Sequence, residues 1–321
     1  MKYRAVVCRE LGNPDVLRVE ELDAPPLAET QARVNLHACG VNFPDLLMVA
    51  GKYQFKPDLP FVPGFESAGE VIEAAPGARV KVGDRVIYRR KTGGFAEQAV
   101  ATPNELAPVP EGYSFDEAAT YTVGVLTAYH ALFTRGQLQK GERLLVTGAA
   151  GGVGMAAVAI GKYLGAEVIA ACSSAEKCAA TVNAGASHTI NTSERRIDEA
   201  TKEITGGRGV DCIYDPVGLS SEIALRALTF GGRILLIGFA ADIPSYPANR
   251  LLIKCASLIG VRAGEYARHF PAVRVEEAPF IEKLTQIVRP HVSKAYRLED
   301  AARALLDIAE RKAIGRIVLH P

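Results

Sequence analysis

A buried strand that runs straight into a glycine-rich turn constrains this chain more than any other feature. Residues 144–154 read Leu144-Leu145-Val146-Thr147-Gly148-Ala149-Ala150-Gly151-Gly152-Val153-Gly154, and the apolar run VGMAAVAIGKYLG follows. The strand portion lacks polar alternation, as expected of a strand covered on both faces. The run after it is long enough for a helix. A helix N-terminus offers unpaired backbone N–H groups and the positive end of the helix dipole, so the turn suits a diphosphate. Gly151 lets the backbone approach the phosphates where a Cβ would collide, and Gly154 lets the helix pack closely on the strand. Ala150, Gly152 and Val153 complete the cradle. Ala149 stands where a GxGxxG pattern has its first glycine. The strand before the turn and the helix after it still point to a dinucleotide site.

The surroundings repeat the same rhythm. Strand-like runs EVIAAC (167–172), HTIN, VDCIYDPVG, RILLIGF and SLIGVR alternate with helical segments, several of them rich in Val, Ile and Leu. This predicts an α/β fold with a doubly wound parallel sheet, the Rossmann arrangement. The first hundred residues differ: QARVNLHACG (31–40) alternates, with Ala32, Val34, Leu36 and Ala38 opposite Arg33, Asn35 and His37. FESAGEVIEA, DRVIYRR and FAEQAVATP add short strands between Gly and Pro turns, which reads as a β-rich, barrel-like domain. Ser114 and Glu117 form a capping box opening a helix that runs to Gly136, a predicted C-cap. LEDAARALLDIAERK (298–312) is amphipathic along Leu298, Ala301, Leu305 and Ile308, and GRIVLH closes the chain as a strand. The expected division is 122–263 for the Rossmann domain and 1–121 with 264–321 for a discontinuous β-rich domain.

Composition narrows the function. A chain of 321 residues suits a pair of domains, and a net charge of +1 gives no field to draw it to nucleic acid or an anionic membrane. No apolar run approaches the length of a membrane span, and MKYRAVVCRE begins as a strand rather than a signal-peptide core, so the expected location is the cytoplasm. Cys8, Cys39, Cys172, Cys178, Cys212 and Cys255 form no CxxC pair, which favours reduced, buried thiols over disulfides or zinc.

The end of the second strand of the alternating region discriminates between dinucleotides. NAD-binding folds place a carboxylate there for the ribose hydroxyls. Here the strand ends Ala171-Cys172-Ser173-Ser174 with Lys177 one turn on, a set that suits the 2′-phosphate of NADPH. The same residues also fit a helix cap at Ser174 and a solvated Lys177.

The chain resembles the medium-chain dehydrogenase/reductase superfamily over essentially its whole length. The segments that carry the resemblance are GVNFPDLLMVAGKY (40–53), LPFVPGFESAGEV (59–71), GDRV (83–86), GGFAEQAV (93–100), LTAYHAL (126–132), GAAGGVG (148–154) and GGRILLIG (231–238). Within the superfamily it is most similar to the zinc-free, zeta-crystallin-like quinone oxidoreductases, which implies a GroES-like, partly open barrel for the β-rich domain. The zinc enzymes of the superfamily carry a Cys where this chain has Asn42, a His where it has Phe65, and a third ligand at about Val123. These three side chains cannot bind Zn²⁺, and no metal is expected.

The resemblance also implies the chemistry: hydride passes from NADPH to a quinone, with the protein stabilising the developing oxyanion. It marks Tyr53 as the catalytic phenol, and Leu47 stands where some relatives carry a second tyrosine. It brings Asn42 near the nicotinamide, as a hydrogen-bonding partner for ribose or acceptor, and Thr127 beside it. Asp45, after Pro44 at a helix start, reads as structural. Gly238 and Phe239 end the fifth Rossmann strand, where backbone groups would hold the carboxamide, and Arg311 aligns with an arginine that contacts the adenosine phosphate. An NADPH-dependent reductase of enoyl thioesters, alkenals or enones is the alternative, since the same parts serve it. Arg89-Arg90-Lys91 would then meet a CoA phosphate, although a solvated strand end explains the run as well. Crystallin-like or RNA-binding use by relatives is a lesser alternative, and no RNA-binding motif is present. His37, His130 and His188 read as structural or surface residues, and Cys172 as a buried strand cysteine. Relatives pair the strand equivalent to SLIGVR across a two-fold axis, so a homodimer is expected.

Overall fold

The computed structural model describes residues 1–321. The chain divides into two compact units, Met1–Val123 with Pro290–Pro321, and Gly124–Arg289.

The first unit opens with strands β1 (Lys2–Val7), β2 (Arg18–Asp23) and β3 (Ala32–Val41), then helix α1 (Phe43–Val49) and strands β4 (Glu66–Ala74), β5 (Arg85–Arg89), β6 (Gln98–Ala101) and β7 (Leu106–Pro108). The alternation of β3 holds at Val34, Leu36 and Ala38, which are buried, while His37 is exposed and stacks on Phe115 at 4.6 Å. Arg33 departs from it. Its side chain is buried and bonded to Glu73 at 2.9 Å and to the Pro25 carbonyl at 2.8 Å, so the charge is carried inward only because it is paired. Helix α2 (Phe115–Tyr129) starts with the expected reciprocal cap: Ser114 N–H donates to Glu117 at 2.8 Å, and Glu117 N–H to Ser114 Oγ at 3.2 Å.

In the second unit α2 gives way to a π-helical turn, His130–Arg135. Gly136 ends it with a right-handed φ of −83°, and the left-handed residue is Gln137 at φ +47°. Gly136 is thus the expected C-cap residue, held in a right-handed conformation. A Cβ there would stand 2.7 Å from the Ala131 carbonyl oxygen and 2.8 Å from Leu235 Cδ1, so close approach is what excludes a side chain. The βα rhythm follows: β8 (Arg143–Val146), α3 (Gly152–Tyr163), β9 (Glu167–Cys172), α4 (Ala175–Asn183), β10 (His188–Asn191), α5 (Ile197–Ile204), β11 (Val210–Asp215), α6 (Ser221–Ala227), β12 (Leu228–Leu236), α7 (Ala248–Lys254), β13 (Ser257–Gly260), α8 (Ala263–His269) and α9 (Ala272–Leu284). The six strands stand in the order β10-β9-β8-β11-β12-β13, all neighbours parallel. This is the doubly wound order, which reverses direction between β8 and β11. Leu144, Leu145 and Val146 are fully buried, as their uninterrupted apolar run requires.

The chain returns to the first unit at residue 290 rather than at 264. Residues 264–289 stay with the second unit because they pack on α2 and the π turn. His130 Nδ1 lies 2.9 Å from Glu277 Oε1, and Thr134 donates to the same oxygen. Tyr129 stacks on Phe133 at 5.1 Å and on Phe280 at 5.9 Å, and His130 meets Tyr266 at 4.8 Å. His130 thus has an acid partner, one that lies 147 residues away in sequence.

Strand β14 (Val292–Arg297), helix α10 (Ala301–Ala309) and strand β15 (Arg316–His320) complete the first unit. Leu298, Ala301 and Leu305 of the amphipathic run are buried in its core. The main sheet runs β14-β15-β3-β4-β5-β7, with β6 pairing β3 beside it. Strand β15 brings Arg316 into the interior, where it pairs with Glu66 and donates to Asn42 Oδ1 at 2.9 Å. Breaking a buried pair leaves an uncompensated charge. Arg316→Met is expected to cost the first unit about 3–5 kcal/mol, read as a lower urea midpoint, whereas Arg9→Ala, at an exposed pair with Glu20, leaves the midpoint in place. An unchanged midpoint in Arg316→Met would contradict the role given to the pair.

Candidate functional site

Each unit carries its own set of site residues. In the second unit, β8 feeds the glycine turn and α3 begins at once, with Gly151 as its N-cap residue. The sharp bend is made by Gly148, whose φ is +55° and where a Cβ would stand 2.8 Å from Val217 Cγ2. The role that the GxGxxG pattern gives to position 149 is thus performed one residue earlier. Gly154 shows the close packing its position predicted: a Cβ would lie 2.4 Å from the Gly148 carbonyl oxygen and 2.8 Å from Ala149 Cα. The N–H groups of Gly152, Val153 and Gly154 are in the first turn, where no intrahelical carbonyl reaches them. Donors and dipole together make a cradle that fits the diphosphate of a dinucleotide.

At the neighbouring strand end, Ser174 caps α4 by accepting from Lys177 N–H at 3.3 Å, and Lys177 Nζ donates to Ser173 Oγ at 3.1 Å. The cap and the anion-seeking cluster therefore coexist. Ser173 is exposed, and no carboxylate ends the strand. A recess of about 430 Å³ opens after β10, lined by Thr192, Ser193, Glu194, Arg195, Arg196, Ile197 and Ile223. Its arginines are engaged with carboxylates, Arg195 with Glu203 and Arg196 with Asp198 at 3.1 Å. Gly238 and Phe239 follow β12 at the same carboxyl edge, Gly238 half-buried and Phe239 exposed. Thr127 is half-buried on α2.

In the first unit, α1 is held by Asn42 and Asp45. Asp45 accepts from Asn42 N–H at 2.9 Å and from Gly64 N–H at 3.0 Å, which makes it the structural residue expected. The Asn42 side chain is buried. Its Nδ2 donates to the Gly40 carbonyl at 3.3 Å and to Glu66 Oε1 at 3.2 Å, and its Oδ1 accepts from Arg316. Both amide hydrogens are taken up inside the protein. With both hydrogens committed, one lone pair of Oδ1 is what Asn42 can offer to a bound group. Arg316, which sequence position alone could not bring to Asn42, takes the other lone pair. Tyr53 is half-buried, with its ring edge-on to Phe65 at 5.7 Å and its N–H bonded to the Leu47 carbonyl at 3.1 Å. Lys91 Nζ sits 4.6 Å from the Phe55 ring centre in the same neighbourhood. Arg311 is exposed just past α10, with φ +57°.

The positions that hold zinc in other members do not fit a metal here. Asn42 is committed as described, Phe65 is a hydrocarbon ring, and Val123 contributes a backbone N–H to Glu66 at 2.8 Å. No cluster of three or more His, Cys, Asp or Glu side chains is placed to hold an ion. All six cysteines are free; five are buried, and Cys255 is exposed.

Glu66 and Asp45 share one buried cation. Burial raises the Glu66 carboxyl while Arg316, in contact with it, opposes the rise. Asp45 has no cation in contact, and burial pushes it up to about 7 against the pull of its two N–H donors. The folded protein therefore keeps a proton on Asp45 that the unfolded chain, with an ordinary carboxyl of about 3.9, releases. The folded state binds more protons across that window, so this group makes stability fall as pH rises from about 4 to about 7, with no further loss above. Thermal melts over that range should show a shallower decline in Asp45→Asn than in the parent; parallel profiles would contradict the assignment.

Comparison with known proteins extends the picture. Residues 28–111 match the family described as "Alcohol dehydrogenase GroES-like domain" and residues 152–277 the one described as "Zinc-binding dehydrogenase". The chain is 38% identical to quinone oxidoreductase-like protein 2 of Bos taurus, over 99% of this chain and 92% of the relative. It is similar to a probable oxidoreductase from Mycobacterium abscessus (TM-score 0.90, 36% identity, 100% of both chains). It is also similar to the Escherichia coli quinone oxidoreductase complexed with NADPH (TM-score 0.90, 29% identity, 99% of this chain and 100% of that one). With that fold, that glycine turn and no zinc ligands, the chain belongs to the medium-chain dehydrogenase/reductase superfamily, as an oxidoreductase of its zinc-free quinone oxidoreductase group.

Proposed function

We propose that this oxidoreductase takes its hydride from NADPH and reduces a quinone without a metal ion. The observation that carries the reading is the acid-free end of β9, where Ser173 and Lys177 stand 3.1 Å apart beside the glycine turn. A carboxylate there would repel a 2′-phosphate, whereas a hydroxyl and an ammonium donate to one. The NADPH complex of the E. coli relative supports the same choice.

When bound, NADPH supplies the hydride. The chain's own groups do the rest. First-turn N–H groups at Gly152, Val153 and Gly154 hold the diphosphate, which Ala150 and Gly151 let approach. Ser173, the free hydroxyl hydrogen of Ser174, and Lys177 take the 2′-phosphate, and Arg311 adds positive charge for the adenosine phosphate. Thr127 and the backbone at Gly238 and Phe239 hold the nicotinamide end. Asn42 accepts a ribose hydroxyl through its remaining Oδ1 lone pair. Tyr53, braced by Phe65, protonates the reduced oxygen; a phenol carries its proton at neutral pH.

An enoyl-thioester or alkenal acceptor has one observation in its favour: Lys91 lies over Phe55, two positions from Tyr53, where it suits an anionic group. The cytoplasmic placement accords with six free cysteines, and no helix is long and apolar enough to cross a membrane. A homodimer through β13 accords with its single neighbour, β12, and with exposed Leu252, Ile253 and Leu258 near the open edge.

NADPH oxidation with para-benzoquinone and phenanthrenequinone, against crotonyl-CoA and alkenals and with NADH as control, tests the reading. Quinones with NADPH should turn over fastest, and Tyr53→Phe should lower kcat by about a hundredfold or more. Selective reduction of crotonyl-CoA would move the assignment to the second acceptor class. A preference for NADH would overturn the cofactor choice. Light scattering should give twice the chain mass; a monomer would contradict the β13 interface.

A further inference from the structure

The buried acid that ends β11 belongs to no role described so far. Asp215 is fully buried and has no cation partner among its bonds. Its carboxylate instead collects hydrogen-bond donors. Thr147 Oγ1 donates to Oδ1 at 2.5 Å, Val217 and Gly218 N–H to the same oxygen at 3.0 and 3.1 Å, and Leu219 N–H to Oδ2 at 2.7 Å. Its backbone carbonyl accepts from Ile237 N–H at 2.9 Å and Gly238 N–H at 3.4 Å.

These partners come from two places that matter. Thr147 is the residue before Gly148, where the turn bends. Ile237 and Gly238 lead out of β12 at the carboxyl edge, and Ala240 and Ala241 N–H continue the tie to the carbonyls of Pro216 and Val217 at 3.3 and 2.8 Å. The loop held by the carboxylate also packs on the turn, since Val217 Cγ2 fills the space a Cβ at Gly148 would need. One side chain and its own carbonyl thus join the β8 turn to the end of β12, at the point where the strand order reverses.

We infer that Asp215 is a positioning residue for the cofactor: it sets the geometry of the diphosphate turn and of the Gly238 backbone together, with Thr147 as its partner on the turn. This rests on the NADPH reading above. Four donors suffice to hold a buried carboxylate in place without a counter-ion. A carboxylate is needed because three backbone N–H groups and a hydroxyl converge on it. An amide offers an acceptor on one side only, and its NH₂ would face the Leu219 N–H.

The test is a set of calorimetric NADPH titrations of the parent, Thr147→Val, Thr147→Ser and Asp215→Asn, each with its melting temperature, and with steady-state KM and kcat for a quinone. Thr147→Val keeps shape and removes the donor; Thr147→Ser keeps the donor and removes a methyl. The expected result is a rise in NADPH Kd of about tenfold in Thr147→Val, a larger rise in Asp215→Asn, and a value within about twofold of the parent in Thr147→Ser. The quinone KM stays unchanged. The double variant Thr147→Val/Asp215→Asn should bind no more weakly than Asp215→Asn alone, because the two share one bond. Lower melting temperatures with an unchanged Kd would overturn the positioning role and leave it a matter of stability. Equal weakening in Thr147→Ser and Thr147→Val would overturn the hydroxyl's part. A parent that fails to bind NADPH would instead overturn the cofactor reading itself, and the positioning inference with it.

Discussion

Helix α3 begins so close to the strand-to-helix turn that no side chain fits between them. A Cβ at Gly154 would sit 2.4 Å from a backbone oxygen, a contact no rotamer change relieves. Everything that makes the second unit a dinucleotide-binding domain follows from that approach. It aims the first-turn N–H groups along the end of β8, so that backbone rather than side chains would meet a diphosphate there. The bend at Gly148, the loop fixed by Asp215 and the hydroxyl–ammonium pair after β9 are arranged around it. A domain built this way tolerates exchange of its surface residues but not of these glycines.

The first unit solves a different problem. Members of the superfamily that bind zinc place ligands at the positions of Asn42 and Phe65; here a buried network occupies the same ground. Arg316 reaches Glu66 and Asn42, Glu66 takes the Val123 N–H, and Asp45 anchors both Asn42 and Gly64. With one cation for two buried carboxyls, burial raises both, Arg316 in contact opposes the rise at Glu66, and Asp45, with no cation in contact, is pushed up to about 7. The network orients Asn42 so completely that its amide faces the protein. Nearby, Tyr53, the phenol proposed for proton delivery, stands edge-on to the ring of Phe65, which occupies the position of a metal ligand in the zinc enzymes.

Much of this was legible in the sequence because it depends on neighbours along the chain. The turn at 148–154, the capping box at Ser114, the uninterrupted apolar strands and the amphipathic run at 298–312 are short-range signals, and they describe elements the structure contains. The misreadings share a different cause. The return at 290 rather than 264 depends on Glu277 meeting His130 across 147 residues. The Asn42 amide is fixed by Glu66, which takes an N–H, and by Arg316, which donates to its oxygen from 274 residues away. Arg33 went inward because Glu73, on the neighbouring strand, was there to receive it. Asp215 left a trace that could have been followed: an acid closing an apolar strand just before Pro216 has no solvent to face, so it must meet donors. Which donors it meets is a matter of tertiary structure.

The central claim is hydride transfer from a backbone-held NADPH without a metal. It is tested most directly by comparing turnover of NADPH deuterated at the transferred position with that of ordinary NADPH, in protein stripped by a strong chelator and shown to be metal-free. The account predicts full activity in the stripped protein and a primary isotope effect of about twofold or more under conditions where chemistry limits the rate. Activity lost on stripping and restored by zinc would contradict it.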